Sequence, residues 1–193
     1  MASTDDDPAA LQRILESVRA REDGADDRLF DAIYARLLKM ARARFREEAA
    51  GHTLQPTALV NEAWLRLSGT SPDFENEAHL FGAASRAMRR ILVDHARQRN
   101  ALKRGGNDKP ITLSDVDGGE QELDVLEVED ALRLLEAEDA RVAEMVRLRF
   151  FGGLSTDEIA RIQQVSPRTV KREWAQAKAW LLERLGDEGE TPE

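Results

Sequence analysis

Arg168, Thr169, Lys171, Arg172 and Lys178 lie on a stretch whose other positions, Val170, Trp174, Ala177 and Leu181, are apolar at helical spacing. The apolar residues therefore form a buried back and leave the cations in front. Guanidinium groups donate paired hydrogen bonds to guanine edges, and ammonium groups neutralise phosphates. This is chemistry of recognition rather than of bond making. Ser166 caps the helix, and Pro167 starts it without losing a hydrogen bond. Upstream, Gly152 and Gly153 stop an earlier helix. Ser155 followed by Glu158 is a capping-box pattern, Ile159 and Ile162 point inward, and Gln164-Val165 makes a turn. The whole reads as a helix-turn-helix whose second helix suits a DNA major groove. Amphipathic helix pairs with solvated basic faces occur in many helical proteins, so the segment has to be weighed with the rest of the chain.

Little else in the chain could make or break bonds. His52, His79 and His95 are scattered and form neither a triad nor a metal motif, and His95 lies instead among arginines. The glycines match neither phosphate-loop spacing. With no cysteine, thiol catalysis, disulfides and cysteine-based zinc sites are excluded. We therefore expect no catalytic residue, no metal and no cofactor. No apolar run approaches the roughly 18 residues a membrane span requires, and MASTDDDPAA lacks the order of a signal peptide. Both features lead us to expect a cytoplasmic protein.

Aromatics are only 5% of residues and charged residues 34%, which favours helices over sheets. The net charge of −9 looks wrong for a nucleic-acid binder, but its distribution resolves the objection. Residues 28–106 carry 14 basic and 8 acidic side chains, whereas 107–140 carry 2 and 12. Residues 141–185 are basic again, at 9 against 5. Local charge within a Debye length, roughly 8 Å, sets the field felt by a partner.

The expected fold class is all-α, with two small helical domains joined by a flexible acidic linker. Residues 1–27 form an acidic extension with a helix near Ala9–Arg21, and 28–104 form the first domain. Its helices run from Arg28 to about Glu48, from Thr57 to Leu67 and from Ala78 to about Leu102. Leu29, Ile33, Leu37, Leu59, Trp64, Leu80, Met88 and Ile91 turn inward, while Arg36, Lys39, Arg42, Arg44 and Arg46 stay outside. The Gly- and Asp-rich residues 105–125 read as linker, with a short extended piece possible at Ile111 to Leu113. Residues 126–186 form the second domain, with a helix break near Asp139, and 187–193 are an acidic tail. The last helix of the first domain is basic at Arg86, Arg89, Arg90, Arg97, Arg99, Lys103 and Arg104, against the single acid Asp94.

Two segments in order carry a family resemblance. HTLQPTALVNEAWLRL with FGAASRAMRRILVDHARQRNALKRGG resembles the second conserved domain of bacterial sigma factors, in the extracytoplasmic-function (ECF) group of the sigma-70 family. MVRLRFFGGLSTDEIARIQQVSPRTVKREWAQAKAWL resembles the fourth. The resemblance covers about Arg28 to Leu185. It implies an alternative sigma factor that binds core RNA polymerase, recognises −10 and −35 promoter DNA and promotes opening. The helix Thr57–Leu67 would then meet the polymerase clamp, through Asn61, Glu62 and Arg66 beside Leu59 and Trp64. Arg86, Arg89, Arg90, Arg97, Arg99, Lys103 and Arg104 would follow the −10 element, with His95 among them. Phe74 and Asn76, at the tip of loop 68–77, are candidates for a pocket that traps an unstacked base, although Phe74 could equally anchor the loop. Ser166, Arg168, Thr169, Lys171, Arg172 and Lys178 would face the −35 element. An anti-sigma factor or other regulatory protein is an expected partner, and the free protein is expected to be a monomer.

The chain departs from the primary sigma pattern in lacking a cluster of exposed aromatics on the melting helix; its only tyrosine is Tyr34. Such a protein should melt DNA weakly and depend on both promoter elements. An ordinary helix-turn-helix regulator would leave the basic helix at 86–104 and the helix at 57–67 without a purpose. A decoy that binds only a regulator could have lost its basic residues, yet both sets are present. The acidic spacer 107–140 is open to two readings. Either it is a solvated tether, or it folds back on the basic helices and holds off nonspecific DNA.

Overall fold

A computed structural model describes residues 8–42, 54–68, 74–102, 112–114 and 122–187. Four helices come first: α1 (Pro8–Arg19), α2 (Ala25–Arg42), α3 (Pro56–Ser68) and α4 (Glu77–Leu102). Two short strands follow, β1 (Thr112–Ser114) and β2 (Glu122–Asp124), then α5 (Val125–Glu138), α6 (Ala140–Phe150), α7 (Thr156–Gln163) and α8 (Pro167–Asp187). The fold is all-α, apart from the antiparallel pair in which Leu113 lies opposite Leu123. That pair occupies part of the expected linker. The extended piece expected at Ile111–Leu113 is the strand Thr112–Ser114, and Ile111 lies outside the described residues.

Each helix follows its apolar stripe. Leu29, Ile33 and Leu37 bury one face of α2; Leu59, Val60, Ala63 and Leu67 do so for α3; Leu80, Ala84, Met88, Ile91 and Leu92 for α4. The helix expected in the acidic extension is part of the core. Leu15 and Val18 of α1 are buried, and the helix packs on α2. The chain turns between them through Arg21 (φ 55°) and Gly24 (φ 69°). The expected continuation of α2 beyond Arg42 lies outside the described residues, as do Arg44 and Arg46.

The break near Asp139 is where it was expected, and its cause is specific. Asp139 is extended (φ −147°, ψ 96°), donates its own N–H to the Leu135 carbonyl and accepts from Arg141 N and Val142 N, so it ends α5 and caps α6. The two halves are not held apart. α4 packs on α3 and also on α5, α6 and α7, and a single apolar cluster runs through both. Gly152 marks the closest approach, since a Cβ there would meet Ser85 Oγ, Leu148 O and Leu154 Cδ1, each at 2.6 Å. Ser85 itself is buried in that seam, with its hydroxyl 3.4 Å from the Arg147 carbonyl.

Candidate nucleic-acid interface

The helix-turn-helix forms as its caps dictate. Ser155 Oγ accepts from Glu158 N at 3.3 Å, and Ser155 N donates to the Glu158 carboxylate at 2.6 Å. α7 ends at Gln164, whose left-handed backbone (φ 55°, ψ 40°) makes the turn. Ser166 Oγ then accepts from Thr169 N at 3.1 Å and shares a 2.8 Å hydrogen bond with Thr169 Oγ1. These two hydroxyls are thus committed first to the start of α8. Val170, Trp174, Ala177 and Leu181 are buried, and the Arg149 guanidinium lies 5.5 Å from the Trp174 ring centroid. Trp180, one position off the stripe, is half-buried with Arg184 5.0 Å from its ring centroid.

Arg168, Lys171 and Arg172 stand exposed on the opposite face, with Lys178 half-buried further along. Ala175 and Ala179, also exposed, lie between these cations and leave the front of the helix flat. A pair between exposed Arg141 and buried Glu173 sets the helix in place. Arg141, at the start of α6, makes two 2.7 Å bonds to the Glu173 carboxylate, and Gln163 Nε2 donates to the Arg141 carbonyl at 2.9 Å. Bonding to Arg141 holds the Glu173 carboxyl below its ordinary range. Sequence reasoning missed this pair because the partners lie 32 residues apart.

The basic helix α4 is divided. Arg90 and Arg97 are exposed and Arg99 half-exposed, and none of the three makes an ion pair among the described residues. Arg86 reaches Glu144 on α6 at 2.9 Å, and Arg89 Nη1 reaches both carboxylate oxygens of Glu129 on α5 at 2.6 and 2.5 Å. Lys103 and Arg104 lie outside the described residues. His95 Nε2 is 3.5 Å from Glu62, whose carboxylate also takes Arg66 at 2.9 Å; Arg66 in turn meets Asp94 at 3.3 Å. One polar cluster across α3 and α4 thus joins His95, expected at DNA, to Glu62 and Arg66, expected at the polymerase.

Other expectations need correcting. Phe74, expected either at a base-trapping pocket or as the anchor of its loop, is buried, edge-on to His79 with centroids 6.0 Å apart. Asn76 accepts from His79 N at 2.9 Å, so its side chain caps α4. Positions 69–73 and His52 lie outside the described residues. Leu59 is buried and offers no surface. Trp64 is only half-buried, tilted on Phe30 at 5.1 Å, and Asn61 is exposed beside it. Leu65, which sequence reasoning passed over, is 69% exposed. Arg36, expected outside, is half-buried, lies 3.8 Å over the Phe81 ring and pairs with both Glu77 and Glu158.

A helix-turn-helix with a solvent-facing basic front, joined to a second helical body with its own basic helix, defines a DNA-binding protein of transcription. The chain belongs to the ECF sigma factor family, whose model matches residues 8–187. It is therefore an alternative sigma factor, acting in transcription initiation with RNA polymerase and promoter DNA, and its family is not a class of enzymes. The match includes α1 and so extends beyond the segments that carried the resemblance. Comparison with curated proteins finds no match. Among the described residues no cluster of His, Asp or Glu could hold a metal, and no helix is long and apolar enough to cross a membrane.

Proposed function

We propose that the α8 front reads the −35 element as duplex while the exposed arginines of α4 hold the −10 region. The observation that carries this reading is the orientation of α8: its apolar back is buried, and Arg168, Lys171 and Arg172 project into solvent from its first two turns. A helix docked by its N-terminal residues presents such side chains to base edges, with arginine as guanine reader and lysine as phosphate contact. Arg90 and Arg97 lie along one face of α4, spaced to follow a phosphate backbone. With Phe74 and Asn76 committed to packing and capping, the described residues offer no stacking platform at that loop. That is consistent with weak melting and reliance on both elements.

On the polymerase side, the reading is that α3 docks with Asn61, Trp64 and Leu65 in contact and with the Glu62–Arg66 pair at the rim. Leu65 supports this, because a large apolar side chain left 69% exposed beside a half-buried tryptophan suits an interface anchor. Run-off transcription with core polymerase on a genomic fragment library tests the proposal. Discrete start sites that require the protein, and that disappear with Arg168→Ala or Arg90→Ala, are expected. Duplex binding with no polymerase-dependent start would overturn it.

A further inference from the structure

We infer that Glu173 sets base preference at the −35 element without touching DNA: held by Arg141, its carboxylate steers the Arg172 guanidinium onto a guanine. The inference deepens the duplex-reading role proposed for α8 and rests on it. Arg172 differs from Arg168 and Lys171 in being tied to its own helix. Its Nη2 lies 3.8 Å from Glu173 Oε1, whereas Arg168 and Lys171 make no ion pair among the described residues. Successive residues of a helix project about 100° apart and do not face each other. To reach Glu173, the Arg172 side chain must lie sideways across the helix, toward the flank where α6 packs.

That flank is rigid. Glu173 is buried, and its two oxygens each take an Arg141 nitrogen at 2.7 Å, so the carboxylate is fixed in a fork. Arg141 is fixed in turn, through its carbonyl, by Gln163 of α7. Bonding to Arg141 holds the Glu173 carboxyl below its ordinary range against burial, and the charge of Arg172 adds to that effect, so the group is an anion at neutral pH. Arg141 cancels that negative charge, and the trio still presents a net positive charge to phosphate.

For packing alone this is a costly choice. An apolar pair of similar volume holds two helices as well as a buried ion pair does, and often better. What the carboxylate adds is direction. A guanidinium carries five N–H groups, and a fork on the O6 and N7 edge of guanine uses two nitrogens. Glu173 engages one nitrogen of a side chain that is 68% exposed, so an N–H edge of the guanidinium stays open to the base. An arginine already oriented also loses less rotamer freedom when it binds.

The test measures preference rather than strength. Polymerase holoenzyme formed with the full-length chain is offered, in competition, promoter duplexes carrying each base at each −35 position. Arg172→Ala should lose about tenfold in preference for a guanine at one position. Glu173→Gln, which keeps the shape but not the charge, should lose a similar preference at that same position and leave the others unchanged. The double variant should match Arg172→Ala, because the two residues act through one contact. Arg141→Met/Glu173→Met removes the pair without stranding a buried charge, and it should show the same selective loss. Destabilised variants do not blur the result, since a smaller folded fraction lowers binding to every duplex alike. Uniform loss in Glu173→Gln, with base preference intact, would overturn the inference and leave the pair a structural clamp. Loss at a position that Arg172→Ala does not affect, or additive effects in the double variant, would overturn it too. A wild-type holoenzyme indifferent to every −35 position would instead overturn the duplex-reading proposal itself, and the inference with it.

Discussion

α8 and α4 are both basic helices with an apolar back, yet their cations stand in different states. Arg168 and Lys171 of α8 are exposed, and Arg172, also exposed, keeps one guanidinium nitrogen 3.8 Å from the Glu173 carboxylate. On α4, Arg86 and Arg89 are drawn into carboxylates 58 and 40 residues further along the chain, while Arg90, next to Arg89, is exposed and makes no ion pair among the described residues. Basic character read along a helix thus measures capacity for phosphate, not availability. Availability depends on which elements of the fold pack against that face, and α5, α6 and α7 all pack against α4.

Removing the back of α8 should break the comparison most severely. Trp174 is buried among Val170, Ala177 and Leu181, so Trp174→Ala should cost about 3–5 kcal/mol from lost burial and a residual cavity. Denaturant unfolding would measure it, and DNA binding should vanish with the fold of the second body. A loss under 1 kcal/mol would show that α8 is not held by that face. Next comes Arg89→Ala, which leaves Glu129 in the seam with Arg133, 3.5 Å away, as its one remaining cation among the described residues. The expected loss is about 1–3 kcal/mol.

How far the sequence could be read tracks the range of the interactions involved. Caps and stripes are local, so Ser155, Asp139 and the Val170–Leu181 face were legible from spacing alone. Side chains whose surroundings are set by distant elements were not. Arg36 was expected outside as a charged residue off the apolar stripe of α2, but Phe81 and Glu158 come to it from α4 and α7. Phe74 and Asn76 have types suited to base capture, and the structure spends one on packing and the other on a cap. Leu65 escaped notice because an apolar residue in an apolar helix is ordinarily assigned to the core. The helix α1 was legible near Ala9–Arg21, and Leu15 and Val18 carry the stripe that buries it.

Acid should single out the ion pairs that hold the second body together. Arg141 holds the Glu173 carboxyl below its ordinary value of 4.5, and Arg147 does the same for Glu136. A depressed folded pKa contributes stability that is present above the unfolded value and lost as pH falls through the folded one. Stability should therefore fall steadily as the pH is taken below about 4.5. Arg141→Ala should lower the neutral-pH plateau and flatten part of that acid slope. An unchanged slope in thermal melts against pH would mean that the pair does not hold α8.

The smallest effect on the fold, and the sharpest test of the comparison, belongs to Arg90→Ala. Arg90 is exposed and makes no ion pair among the described residues, so its removal should change stability by no more than about 0.5 kcal/mol. If it holds a phosphate in the promoter complex, each such contact contributes about 0.9 to the slope of log affinity against log salt. Arg90→Ala should therefore reduce the slope by about that amount and weaken binding to all duplexes alike. Arg89→Ala should do the reverse in the free protein, lowering stability while loosening the seam and leaving more of α4 accessible. The two arginines are adjacent in sequence and identical in chemistry, so opposite responses from them would have to come from the fold. If both variants instead lost stability equally, or both lowered the salt slope without destabilising the protein, the division of α4 into tied and free cations would not describe the molecule in solution.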